Sequence, residues 1–381
     1  MSGETREPGR EPEGETLHVW GMGDFQDVRP KRPGSRLSLD RIFRAALFFV
    51  PFGVLVNLAL SWYATDRSVF ATLDERPRRF LYLAMALALI PWLTNALRLL
   101  IWTRFMGHRM AYREAFRITL GADLAAALFP NSVREVIRWG MMVQTGITRS
   151  QAATIVSLGY LEDLAFFALA LPAAFVVSRA WRLPVLQGLG GEVRGGVLWV
   201  FGGVALAVAA LWLGWWLLLR GALGARIRGR GLRFTARTRR RARRSWREFR
   251  EVWTLVVARG KTRFGVTFLI TSIQWACRYS VLTALCSFLG APVDPVLSFL
   301  LQWVIFTTLL FIPTPGAAGG AEASFFLVYS ALLPAGVIGI ATAGWRLLTF
   351  YFQLSLGAVL FAGLNLADAR ARRRAAPRRQ G

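Results

Sequence analysis

Apolar and polar positions divide this chain into long hydrophobic runs separated by short polar stretches. Six runs lie at about residues 42–63, 80–103, 150–178, 194–219, 264–289 and 335–364. About 20 apolar residues in a helix cross the roughly 30 Å hydrocarbon core of a bilayer. Each run is long enough to be predicted as a spanning helix. Two further apolar segments do not fit that pattern. Residues 118–146 are broken by Pro130, Asn131 and charges, and residues 296–333 by Pro313, Pro315 and glycines. The halves of these segments are short for a full crossing. Both are read as re-entrant helical hairpins, whose freed backbone groups must be buried in protein or face a wet cavity. The fold class is therefore all-α: a polytopic helical membrane protein with six spans and two re-entrant hairpins.

Composition supports this class. Of 381 residues, 54% are hydrophobic and only 18% charged, with a mean hydropathy of +0.40. Soluble domains carry about 25% charged residues. An ordinary soluble enzyme, a coiled coil and a wholly disordered chain are excluded as classes. Two cysteines, Cys277 and Cys286, lie nine positions apart on one predicted helix and face opposite ways. His18 and His108 are the only histidines. A disulfide, a multi-histidine metal site and a histidine triad are all set aside, and no metal or other cofactor is expected.

The net charge of +25 could signal nucleic acid, but its distribution points to membrane topology. Residues 220–263 carry sixteen basic and two acidic residues, and the tail from Asn365 carries six arginines and one aspartate. Residues 104–117 add Arg104, Arg109, Arg113 and Arg117. Positive charge stays inside, so these three regions are placed in the cytoplasm. The short loop at 290–295 and the nearly balanced loop at 64–78 fall outside. Both termini then come out cytoplasmic. Trp246, Phe249 and Trp253 accompany the arginines of 226–250, which suits a juxtamembrane amphipathic helix on anionic lipid rather than a nucleic-acid surface. The polar tail 1–40 has no apolar run of signal-peptide type. The chain thus divides into a tail at 1–40, a transmembrane domain at 41–365 containing the basic loop 220–263, and a basic tail at 366–381.

Charges inside the apolar runs carry the chemical information. An ionisable group at bilayer depth costs about 2.5–3.5 kcal/mol on insertion scales and marks function by default. In the first broken segment, Arg134 and Arg138 share a helix face, with Glu135 beside them just after Pro130. A helix start with arginines suits a phosphate; an interfacial helix with snorkelling arginines is the alternative. In the second, Pro313-Thr-Pro315-Gly316-Ala-Ala-Gly319-Gly-Ala-Glu322 combines a chain break, close-packing residues and a carboxylate. Arg278 and Arg346 lie deep in their spans, either paired with Glu135 or Glu322 or facing a lipid phosphate. Glu162 and Asp163 sit about twelve residues into span 150–178, while Arg98, five residues from the end of its span, is expected to snorkel. A faint repeat links the halves: Pro130 to Asp163 and Pro313 to Arg346 are equally spaced, with an offset of 183. The intervening charge places the halves in opposite orientations, the inverted-repeat pattern of transporters.

The second broken segment, with Arg346-Leu-Leu-Thr-Phe-Tyr after it, resembles the lysylphosphatidylglycerol synthase transmembrane-region family of flippase-like proteins. The likeness rests on Pro313, Pro315, Gly316, Gly319, Glu322 and Arg346 there, and on Pro130, Glu135, Arg138 and Asp163 in the first half. Gly159 and Tyr160 stand where the family has a Glu-Arg pair. The resemblance covers roughly 42–365 and implies a bacterial inner-membrane protein that moves lipids. The soluble aminoacyl-phospholipid synthase domain of the best-known member has no counterpart among these residues, so the resemblance implies transport rather than enzymatic synthesis.

The expected function is translocation of an anionic or aminoacylated phospholipid or a polyprenyl-phosphate-linked lipid. Arg134, Arg138, Arg278 and Arg346 would meet the headgroup, and Glu135, Asp163 and Glu322 would balance them or bind protons. No nucleotide-binding loop is found, so direct ATP drive is not expected. A membrane scaffold for a lipid-pathway enzyme, docked through the basic loop, is the main alternative. A lipid-modifying transferase is a third reading, for which no donor motif is found. Membrane lipids are the expected partners, with homo-oligomers and a lipid-biosynthesis enzyme as further candidates.

Overall fold

The structure, a computed structural model, describes residues 65–128, 133–180, 236–309, 312, 315–317 and 319–375, together with Leu55, Asn57, Ala59 and Trp62. The predicted span 194–219, most of 42–63, the tail 1–40 and the chain breaks at Pro130 and Pro313 lie outside the described residues.

Every regular element among the described residues is a helix. A short helix α1, Arg67–Thr72, starts at Asp66, whose side chain accepts a hydrogen bond from the Ser68 amide. Helix α2 runs Arg79–Phe105 and helix α5 runs Arg149–Val177. Thr148 and Gln151 form a reciprocal capping box at the start of α5. Helix α10, Ala335–Arg346, passes through a π-helical stretch, Leu347–Tyr351, into α11, Phe352–Ala375. Three helical stretches are long and apolar enough to cross a membrane: Arg79–Phe105, Arg149–Val177 and Ala335–Asp368. They coincide with three of the predicted spans.

Helix α7, Lys261–Phe288, is as long as these but less apolar, for a directional reason. Val266, Leu269 and Ile273 lie on its outward face and are 49%, 61% and 47% exposed. Thr267, Thr271 and Gln274 face inward and are buried. Polar residues on one helical face lower the mean without exposing any of them to lipid.

The two broken segments become pairs of short helices. The first holds α3, Tyr112–Leu128, and α4, Val133–Gln144. The second holds α8, Pro295–Leu309, a 3₁₀ turn at Pro315–Ala317, and α9, Gly320–Tyr329. At 1.5 Å per residue these helices measure about 26, 18, 22 and 15 Å, each less than the roughly 30 Å of a bilayer core.

Helix α2 packs most extensively against α7. Ala84 and Ala88 let the two approach, against Val281, Leu282 and Leu285. Farther along, α2 enters a second cluster through Ala96, Leu99 and Trp102, with Ile118, Met142 and Leu158. The amphipathic basic helix α6, Ala236–Arg259, joins this cluster by burying Phe249, Trp253 and Val256. The packing of the short helices is reciprocal. Helix α3 lies on α4 as α8 lies on α9; α5, which follows the first pair, packs on α8, while α11, which follows the second, packs on α3. Cys277 and Cys286 are both free thiols.

Candidate functional site

The short helices α3, α4 and α8, the glycine turn and the deep parts of α2, α5, α7 and α10–α11 line a cavity of about 590 Å³. Its wall is largely aromatic and aliphatic, with Asp123, Arg134, Glu135, Asp163, Arg278 and Arg346 set into it. A mostly apolar cleft of this size with a few converging polar groups is the usual form of a small-ligand site. Five of the sequence-predicted site residues, Arg134, Glu135, Asp163, Arg278 and Arg346, therefore meet in one space, as does Gly316. Arg138, Gly319 and Glu322 do not line it. Pro315 opens the 3₁₀ turn, and Pro313 lies outside the described residues.

Helix α10 and the glycine turn form one unit. Arg346, 4% exposed, pairs through Nε with Glu322 Oε1 at 3.0 Å and donates to the Gly316 carbonyl. Glu322 Oε2 accepts from the Gly319 amide at 2.8 Å, closing the start of α9. Gly316 and Gly319 have φ of 60° and 80°, the region glycine adopts without steric cost. At Gly316 a side chain would also meet the Phe350 ring at 2.3 Å.

In the first half, Arg134 Nε faces Asp123 Oδ1 at 3.4 Å, without hydrogen-bond geometry at either atom. Arg138 pairs with Glu135 at 3.1 Å. The two arginines share a helix face, as expected, yet each is matched with a carboxylate.

A third polar unit sits behind the wall, and it corrects one expectation. Arg98 does not snorkel; it is 6% exposed and reaches inward to four partners. Its Nε lies 2.8 Å from Glu162 Oε2, and its terminal nitrogens bind Asp163 Oδ1 at 3.2 Å, Gln274 Oε1 at 3.3 Å and the Gly159 carbonyl at 3.0 Å. Glu162 is fully buried and also accepts from Trp102 at 2.8 Å, Thr267 at 2.6 Å and Thr271 at 3.3 Å. The inward carboxylates outweigh the nearby helix end because each donor is otherwise unsatisfied. Asp163 reaches the cavity, where Trp275 Nε1 also donates to its Oδ1 at 3.1 Å. The Gly159 carbonyl is open to Arg98 because position 159 bears no side chain. Tyr160 lines the cavity and is 57% exposed.

Arg278 differs from the other lining arginines. Its guanidinium lies 5.6 Å from the Trp275 ring and 5.3 Å from the Phe306 ring. Among the described residues no carboxylate lies within ion-pair distance of it and no hydrogen bond holds it. Glu135 and Glu322, its expected partners, are engaged by Arg138 and Arg346.

The wall also recurs along the chain. Of the thirteen lining residues before position 200, eight have a lining counterpart 183 positions later. Trp92 corresponds to Trp275 and Phe167 to Phe350, while Asp163 corresponds to Arg346 and Asp123 to Phe306. The two halves thus share aromatic residues at equivalent positions, while the aspartates of the first half are matched by an arginine and a phenylalanine in the second.

Residues 45–357 match the family model of the lysylphosphatidylglycerol synthase transmembrane region. The chain belongs to that family. It is also similar to a UPF0104 membrane protein of Archaeoglobus fulgidus, at 23% identity over 324 residues, covering 81% of this chain and 94% of that protein. The matched residues include every charged group in the cavity wall. A membrane location follows from this family together with the long apolar helices.

Asp123 and the Arg98–Glu162 network were not singled out by sequence spacing. Asp123 sits in an alanine-rich stretch where a lone acid has no patterned neighbour. Arg98 and Glu162 are 64 positions apart, and no local rule pairs them. Their depth within apolar runs was the one available signal.

Proposed function

We propose that this protein carries a phosphate-bearing lipid across the membrane, with the headgroup passing through the cavity and the acyl chains remaining in lipid. The observation that carries this reading is Arg278: a cation in a 590 Å³ aromatic-lined cavity with no carboxylate partner among the described residues. A charge held at such depth without a counter-ion is costly unless a ligand supplies one.

The protein on this reading is a six-span transporter of the bacterial inner membrane with both termini in the cytoplasm. The short helix pairs are re-entrant hairpins of two inverted repeats. The recurrence of the wall at 183 positions and the reciprocal packing of α5 on α8 and α11 on α3 support the repeat. Rocking of such halves about a central site exposes it to each side in turn. The π-helical stretch directly after Arg346 lies where such distortions often serve function. The basic residues of α6 and the C-terminal tail would rest on anionic headgroups of the inner leaflet.

The test is leaflet exchange in proteoliposomes. Purified protein is reconstituted with trace labelled lipids, and the outer-leaflet fraction is followed by a membrane-impermeant quencher. Protein-dependent exchange is expected. Folded protein that moves no phosphate-bearing lipid would overturn transport and favour a scaffold role.

A further inference from the structure

The charges around the cavity can be balanced among the described residues. Arg134 with Asp123, Arg138 with Glu135, and Arg346 with Glu322 are each neutral pairs. Arg98 serves two carboxylates, Glu162 and Asp163, leaving one negative charge in excess. Arg278 is one positive charge in excess. The surplus negative charge is presented at Asp163. Glu162 has no exposed side-chain surface and both its oxygens are bonded, whereas the Asp163 side chain is 31% exposed. Only Oδ1 of Asp163 is engaged; Oδ2 has no hydrogen-bond partner among the described residues.

These two surplus charges do not meet. Trp275 stands between their environments, donating to Asp163 from its indole nitrogen while Arg278 lies over its ring. Opposite charges in an apolar wall would gain by closing on each other; here an indole and its aromatic neighbours keep them apart. Phe167 lies 4.7 Å from Trp275 and 6.5 Å from Trp303, and Tyr279 lies 5.5 Å from Trp275, centroid to centroid. Clustered aromatic faces attract alkylammonium groups.

We propose that the cavity takes a zwitterionic phospholipid headgroup, its phosphodiester on Arg278 and its ammonium between Asp163 Oδ2 and the aromatic faces. This rests on the transport reading above and narrows it to a net-neutral headgroup. Such a ligand satisfies both surplus charges and leaves the buried site neutral. A monoanionic headgroup would satisfy Arg278 alone and add a negative charge to a site already balanced.

The experiment compares three lipids in the same proteoliposomes: an acyl-labelled phosphoethanolamine lipid, the phosphoglycerol lipid with identical chains, and a polyprenyl phosphate. The phosphoethanolamine lipid is expected to exchange fastest. Asp163→Asn should slow it roughly 10- to 100-fold, the loss of one charge-assisted contact, and should shrink its advantage over the phosphoglycerol lipid. Arg278→Gln should slow both phospholipids. Asp163→Glu, which keeps the carboxylate, should restore the preference and separates a charge effect from misfolding. Faster exchange of the phosphoglycerol or polyprenyl lipid, with preference unmoved by Asp163→Asn, would overturn the inference while transport stands. Binding is read separately in detergent, from tryptophan fluorescence with short-chain phosphoethanolamine and phosphoglycerol lipids. Selective binding of the former that Asp163→Asn abolishes, with no exchange of any lipid, would overturn transport and uphold the ligand.

Discussion

Replacing Arg98 by methionine separates two accounts of that residue. If Arg98 snorkelled to an interface, its loss would remove an exposed charge, worth about 0–1 kcal/mol. In the structure its side chain is 7% exposed and bridges two carboxylates, at 2.8 and 3.2 Å, while also binding Gln274 and the Gly159 carbonyl. Methionine keeps much of the volume but leaves Glu162 and Asp163 with no cation. Removing one partner of a buried pair costs about 3–5 kcal/mol. Glu162 retains its bonds from Trp102, Thr267 and Thr271, which favours the lower half of that range. An unfolding entropy near 2.1 cal/mol/K per residue gives about 0.8 kcal/mol/K for 381 residues, so the melting temperature should fall by roughly 4–5 °C. The assay is thermal unfolding in detergent, followed by intrinsic tryptophan fluorescence, with Arg98→Lys alongside. Lysine restores the charge but not the four-way fork, and should recover only part of the loss. A fall of less than about 1 °C in Arg98→Met would refute the buried network.

Trp102 and Trp345 are both fully buried, but only Trp102 spends its indole nitrogen, on Glu162; that of Trp345 has no hydrogen-bond partner among the described residues. Trp102→Phe should therefore cost about 1–3 kcal/mol more than Trp345→Phe in the same unfolding assay. Gly316→Ala places a methyl group against the Phe350 ring and an L-residue at φ 60°, which costs about 1–2 kcal/mol before the clash is counted. The melting temperature should drop, and Phe350→Leu in the same chain should recover the part due to the clash. Arg346→Ala and Glu322→Gln each break the clamp on the glycine turn, and both should abolish lipid exchange in proteoliposomes while leaving membrane insertion intact. Wild-type exchange in both would remove these residues from the mechanism.

The hydrophobic runs alone determined the helical class and three of the spans now seen as long apolar helices, because crossing lipid imposes a length and a composition on each segment by itself. They also located the two broken segments, since proline and glycine act on their own backbone. The pairing of Glu322 with Arg346 was one of the alternatives legible from depth in the chain. What sequence could not assign was the partner of each buried charge. The short distance from Arg98 to a helix end predicts snorkelling, but α5 and α7 place two carboxylates and a glutamine within its reach. Arg278 could have paired with either glutamate, and both are occupied by nearer arginines. Helix α7 has modest mean hydropathy because its polar face is turned to α2 and α5, a fact about neighbours rather than composition. Whether a given charge is spent within the wall or left to meet a ligand depends on distances across helices far apart in sequence, so only the packed structure decided it.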